Sequence, residues 1–522
     1  MDHREQCQSS SIRTNRGQAA FRIVVGIAIV MGVLIGTCSR FRESEPESTS
    51  MEITTPASSS DRIDLVYEEK YAEIVNLINT LDHEAALSAL LDTRIDTNDD
   101  LFIRGIFLSW LGRDEEAAES LTDAAKRVTG YPASQLLLRH TEKWGLDPTT
   151  IEEKRFTVDD SRYIRRCHFL QRIADRVTSG SSSELEKTER LLDWVFRHIA
   201  FFEPDVINIG ALDILLRGYG VCDRSAWVLA LLCQRAGLPA TVVLLGRPTV
   251  TGRDLAEFDS THTLCQVLVS GQWLLCDTIQ GTFVTHEDSG ERATLKEILA
   301  RLEAEPENTS LQETFDGYHQ AGVGAVFEAD GTFPRFRLLD PYMRVIPPYP
   351  AVFEDLDKSL EIAYSAVPEV DGKRTNETGV WDYPFYSRTS YNDAEFLAYR
   401  EKILAPLESY RDARILQLLG FPIQAIHAYA RSVETSPPEA EEDLIYFMAQ
   451  CHYETGVLQN AETGFQMYLE KYPNGRWRPW AIYQLARAKE ERGDLSGALE
   501  LYRSIEHLGA ARQRALAVGS RQ

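Results

Sequence analysis

Eight cysteines in 522 residues are too few for a disulfide-stapled scaffold. None of them forms a C-x-x-C pair, which argues against a structural zinc ribbon. Positive charge is also scarce: 55 Lys and Arg against 79 Asp and Glu leave a formal charge of −24. Phosphates repel such a chain, so no nucleic-acid partner is expected. Only one long uncharged apolar run occurs, which excludes a polytopic membrane protein. What is present is ordinary globular material, 43% apolar and 26% charged. At ~150 residues per domain the length suggests about three domains.

The one apolar run is IVVGIAIVMGVLIGTCS, residues 23–39. At ~1.5 Å per residue it reaches about 25 Å, short but within the range of a membrane span. Arg4, Arg13, Arg16 and Arg22 precede it; only Arg40 and Arg42 follow, and then comes the acidic run Glu43, Glu45, Glu47. That asymmetry predicts a cytoplasmic tail (1–22), a single-pass anchor (23–39) and an extracytoplasmic body. A cleaved signal peptide is the alternative, and a lipid on Cys38 a variant of it, with Thr37 departing from the usual small residue. Gly32 and Gly36 would let two spans pack closely. Residues 40–60, rich in Ser, Thr, Glu and Pro, read as a solvated linker.

Helical patterns dominate 61–150 and 405–515. In the second region Ala413, Gly420, Ala425, Tyr429 and Pro437 recur 36 residues later as Ala449, Gly456, Ala461, Phe465 and Pro473. The first four recur again as Ala486, Gly493, Ala498 and Tyr502. Small residues at this spacing let two antiparallel helices approach, with an aromatic filling the gap. The pattern resembles the tetratricopeptide repeat, whose period is ~34. Gly105, Gly112, Ala117 and Leu121 fit the same frame, so 61–150 reads as repeat-like too. Such a stack either offers a concave surface to a protein partner or braces its neighbour. Because repeats contact mainly their neighbours, the C-terminal third is expected to unfold separately from the centre. Residues 286–404 open with a helical run, TLKEILARLEAE, and then show no clear period; they stay unassigned.

The chemistry lies in 157–285. In GYGVCDRSAWVLALLCQRAGLPATVVLLG, residues 218–246, a glycine turn leads into a helix that is apolar almost all round. Gly237 and Pro239 end the helix, and a β-rich run follows. Cys222 stands at the helix N-terminus, where unpaired N–H groups and the helix dipole stabilise a thiolate nucleophile. Cys233, in the helix interior, reads as core. A nucleophilic thiol needs a base and a group to orient that base. The segment HTLCQVLVSGQWLLCDTIQG, residues 262–281, reads as two strands joined at Ser270-Gly271. That turn pairs Val269 with Gln272, so Leu264 faces Asp277 and His262 becomes Asp277's diagonal neighbour on one face. Cys265 falls opposite Cys276 on the other face, as buried thiols or a cross-strand disulfide. A zinc site from His262 and Cys265 is disfavoured, because three residues apart on a strand they point to opposite faces. His168 and His198 have no acid arranged to orient them and read as packing or surface residues.

Gly-x-Cys opening a buried helix, then His in a strand, then Asp after a Trp-containing strand, resembles the transglutaminase-like superfamily of papain-like cysteine enzymes. LLDWVFRHIAFF (191–202) and ALDILLRGYGVC (211–222) look like that family's approach to the nucleophile. The resemblance puts Cys222, His262 and Asp277 on the catalytic Cys, His and Asp. Leu264 departs from the aromatic often found two residues after the His. The family includes transamidases, peptidases, amidases and members without activity. No calcium loop is clear, and no cofactor or metal is implied. The expected architecture is α+β: a papain-like transglutaminase core flanked by α-helical tetratricopeptide-like repeats, with one N-terminal transmembrane helix. The expected function is a membrane-anchored cysteine enzyme acting on peptide or side-chain amides through a thioester, with repeats binding a partner. The rival is a non-catalytic anchored scaffold whose repeats bind proteins.

Overall fold

The computed structural model describes residues 61–126, 133–144, 151, 155–202, 211–220, 222–248, 258–286, 289–294, 297, 369–370, 373–376, 379–380, 407 and 409–522. The expected tail, anchor and linker (1–60) and most of 286–404 lie outside the described residues. Among the described residues, no helix is long and apolar enough to cross a membrane. The chain divides into two units, 1–67 and 68–522. Of the first, only 61–67 are described, and they are helical.

The second unit begins in α1 (Asp61–Asn79) and continues through α2 (His83–Asp92), α3 (Asn98–Trp110) and α4 (Asp114–Ala125). Thr97 and Asp100 form a reciprocal capping box at the start of α3. The α3–α4 pair is tight because a Cβ on Gly105 would lie 2.8 Å from Leu121. After α5 (Gln135–Trp144), α6 (Val158–Thr178) opens with a second capping box, Thr157 with Asp160. The α6 helix reaches the central domain, where Gln171 Nε2 donates to the Arg235 carbonyl at 2.9 Å.

The central domain runs α7 (Glu184–His198), β1 (Ala200–Phe201), α8 (Ala211–Arg217), β2 (Tyr219–Gly220), α9 (Cys222–Arg235), β3 (Ala240–Pro248), β4 (Phe258–Val269), β5 (Gln272–Asp277) and β6 (Thr282–Phe283). Strands β3 to β6 form one antiparallel sheet in sequence order. The β4–β5 turn is tight, with positive φ at both Ser270 and Gly271, as a two-residue hairpin turn requires. Its register pairs Val269 with Gln272 and Cys265 with Cys276. Helix α9 is buried from Ala226 to Cys233 and packs on β3 and β4. Further on, the described residues of 369–380 form β7 (Glu369–Val370), β8 (Lys373–Asn376) and β9 (Gly379–Val380), a small antiparallel sheet.

The C-terminal region is a stack: helical residues 409–418, then α10 (Pro422–Thr435), α11 (Glu441–Glu454), α12 (Leu458–Lys471), α13 (Arg478–Glu491), α14 (Leu495–Ser504) and α15 (Gly509–Gly519). The recurring alanines Ala449, Ala461, Ala486 and Ala498 are buried. A Cβ on Gly464 would meet the Ala449 Cβ at 2.7 Å, so α11 and α12 touch nearly backbone to backbone.

The stack does not stand apart from the centre. The last carbonyls of a helix have no partner within it. In α7 the repeats supply those partners: Trp480 Nε1 donates to the Phe196 carbonyl at 2.8 Å, Gln450 Nε2 to Arg197 at 3.0 Å and Arg414 to His198 at 3.1 Å. Arg414 also donates to the Leu215 carbonyl at 3.3 Å, and Arg487 pairs with Asp193. Each buried acceptor left without a donor would cost about 1–3 kcal/mol. These contacts weigh against the expectation that the C-terminal third unfolds separately. The repeats and the central domain fall in one compact unit, 68–522, and the repeats cap a helix of that domain.

Candidate active site

Cys222 is the first residue of α9 and is partly exposed. Two contacts hold its approach. Parallel pairing of β1 with β2 matches Ala200 with Tyr219 and Phe201 with Gly220. From the other side the repeats press on Gly218, which adopts φ +80°. A Cβ there would lie 2.7 Å from the Trp477 ring and 3.0 Å from Phe447. Trp477 is itself pinned: its Nε1 donates to Asp443 at 2.9 Å, and its ring stacks on Tyr446 at 4.3 Å.

Asp277 ends β5 and is buried. Its Oδ1 accepts from the backbone N–H of Ile279 at 2.9 Å and of Gln280 at 3.1 Å. The helix of Cys222 is tied to this strand end by Ser225. The Ser225 Oγ bonds the Cys222 carbonyl at 3.1 Å and the Thr278 hydroxyl at 2.7 Å. These two hydroxyls are a join that the spacing of Cys, His and Asp did not reveal.

His262 is placed by its backbone on β4, paired with Leu245 of β3; its side chain lies outside the described residues. The β3–β4 register shifts at that point. Leu245 pairs with His262 but Gly246 with Ser260, which makes Thr261 the extra residue of a β-bulge. Bulges bend a strand and re-aim its side chains. The α9 helix, the β4 strand and the end of β5 are thus neighbouring elements, carrying Cys222, His262 and Asp277 respectively.

The other described cysteines have a different character. Cys167, Cys233, Cys265, Cys276 and Cys451 are buried and free. Burial pushes each of these thiols above the ordinary range, which suppresses the thiolate. Cys265 and Cys276 face each other as thiols. Trp110 donates to His168 at 3.1 Å, and His198 lies buried between the Trp194 carbonyl and Glu454 at the joint with the repeats, so the expectation that no acid orients His198 is corrected: the acid comes from a repeat helix 256 residues away. A groove of about 1190 Å³ runs between α7, β5, the described residues that follow β5 from Gly281 to Thr294, α13 and α15. Asp193, Gln272, Phe283, Arg292, Tyr483 and Arg514 are among its lining residues; Cys222 and Asp277 are not.

A helix-tip cysteine packed on an antiparallel sheet is the arrangement of papain-like cysteine enzymes. Residues 171–278 match the family model of the transglutaminase-like superfamily, and residues 445–475 match that of the tetratricopeptide repeat. The chain therefore carries a transglutaminase-like domain, and Cys222, His262 and Asp277 all fall within it. Among solved structures, a candidate cysteine protease from Cytophaga hutchinsonii is 20% identical over 22% of this chain and 37% of that one, with a TM-score of 0.18. A candidate protease from Parabacteroides distasonis is 21% identical over 21% and 23%, with a TM-score of 0.17. The chain spans well under half the length of either. No curated protein matches it.

Proposed function

We propose that the protein is a cysteine acyl-transfer enzyme acting on peptide or side-chain amides. The observation that supports this best is the contrast among its thiols. Cys222 alone of the described cysteines is partly exposed, and it stands at the N-terminus of a buried helix inside the transglutaminase-like domain. In this reading His262 takes the thiol proton as the sulfur attacks the amide carbonyl. The C–S bond forms, the C–N bond breaks, and His262 returns the proton to the departing amine. Asp277 holds the imidazole tautomer and stabilises the imidazolium. The backbone N–H of Cys222 is the natural donor to the oxyanion. Water on the thioester completes hydrolysis; an amine completes transamidation. The repeats brace this domain through α7 and Gly218, and their remaining surface is available to a protein partner. The body is proposed to be extracytoplasmic on a single N-terminal anchor, a reading that rests on the charge asymmetry around 23–39 alone.

The test offers unfolded casein with a fluorescent primary amine to the full chain and to Cys222→Ala. Amine incorporation that depends on Cys222 indicates transamidation, and Cys222-dependent fragmentation indicates hydrolysis. Equal, null results from both proteins would favour the scaffold reading.

A further inference from the structure

The loop leaving β5 is gripped from two sides, and one residue belongs to both grips. Within the loop, the Gln280 backbone N–H donates to Asp277 Oδ1 beside that of Ile279. From outside, the first turn of α15 holds Gln280. The Ala510 N–H donates to the Gln280 carbonyl at 2.7 Å, and the Gly509 N–H donates to Gln280 Oε1. First-turn amides have no partner within their own helix, so acceptors are favoured there. The fit is close: a Cβ on Gly509 would stand 2.8 Å from the Thr282 hydroxyl and 3.1 Å from Gln280 Oε1. Thr282 is the residue paired with Asp277 across the β5–β6 ladder. Gln280 and Gly509 are 229 residues apart, so the last helix of the repeat stack reaches back to the carboxylate's own turn.

We infer that Gln280 is a positioning residue, through which α15 sets the orientation of the Asp277 carboxylate. The inference rests on the proposed role of Asp277 in orienting the imidazole. Two amides on Oδ1 fix where the second carboxylate oxygen points, and the turn that carries them is only as rigid as its outer hold. The repeat stack is then part of the catalytic apparatus, beyond being a brace.

The test uses the full chain with p-nitrophenyl acetate, whose acyl group passes to a thiolate with release of p-nitrophenolate. Gln280→Leu removes the Oε1 acceptor at similar size, and Gln280→Glu keeps an acceptor that a helix N-terminus favours. The expected result is a kcat about five- to tenfold lower in Gln280→Leu with KM unchanged, and near-wild-type kcat in Gln280→Glu. Ala510→Pro removes the other donor in a turn that tolerates proline, and should lower kcat in the same way if Gln280→Leu does not fold. Wild-type kcat in Gln280→Leu, or a fall in kcat, KM and melting temperature together that Gln280→Glu does not restore, would overturn the inference. Cys222→Ala distinguishes the two levels. If it reacts as fast as wild type, the proposed function fails and the inference with it; if it is inactive while Gln280→Leu is unaffected, only the inference fails.

Discussion

Replacing Gly218 with alanine adds one methyl group at the point where the repeats meet the approach to Cys222. Its cost has two sources. The backbone sits at φ +80°, a region that costs an L-residue about 1–2 kcal/mol. The new Cβ would also lie 2.7 Å from the Trp477 ring and 3.0 Å from that of Phe447. Trp477 cannot swing aside cheaply, because its Nε1 donates to Asp443 and its ring stacks on Tyr446, while its backbone N–H donates to the Tyr468 hydroxyl. Overpacking of a tight core typically costs about 1–3 kcal/mol. The sum is a loss of about 2–5 kcal/mol, read as a lower urea midpoint at constant slope. The strain falls four residues before the nucleophile, so alkylation of Cys222 should change as well. In a double-mutant cycle, Gly218→Ala should cost less in a Trp477→Leu background than in the wild type, since the obstructing ring is gone. A Gly218→Ala protein within about 0.5 kcal/mol of wild type would refute the packing described for this junction.

Two further outcomes follow from named contacts. Arg414→Met leaves the His198 and Leu215 carbonyls without their buried donor and should cost about 2–5 kcal/mol in urea unfolding, with central and repeat regions lost in one transition; two separate transitions would contradict the single unit. Asp100 is held down to about 2: burial works to raise it, and donors from Lys70, Tyr71, Thr97 and the Asp96 backbone outweigh that. Its folded value lies below the ordinary ~3.9, so the stability it adds is present above about pH 4 and is lost as pH falls towards 2. The gap between wild type and Asp100→Asn should be about 2 kcal/mol at pH 7 and shrink across that window, whereas a constant gap would mean the ionised carboxylate is not its source.

What could be read in advance was local. Ser270-Gly271 between alternating strands sets the hairpin register, because a two-residue turn admits one pairing. Gly218, Gly220 and Gly237-Leu238-Pro239 bracket the helix that begins at Cys222. The alanine and glycine spacing marks the repeat helices, because small residues are required where two backbones meet. The remainder depends on contacts between distant segments. Arg414, Gln450 and Trp480 look like ordinary helix residues until α7 ends against them. Ser225 and Thr278 meet only once α9 lies on the sheet. The bulge at Thr261 reflects a mismatch between two strands, which neither strand reveals alone. Gln280 and α15 are joined across more than two hundred residues, with no spacing rule to connect them.

The central claim is that Cys222 is the reactive thiol and that His262 activates it. The direct measurement is the order of labelling by limiting iodoacetamide near neutral pH, read by peptide mapping of the native chain. Cys222 should be modified well before Cys167, Cys233, Cys265, Cys276 and Cys451, whose thiols burial keeps protonated. His262→Ala should slow the labelling of Cys222 and leave the others unchanged. Earlier labelling of Cys265 or Cys233, or a Cys222 rate indifferent to His262, would contradict the account.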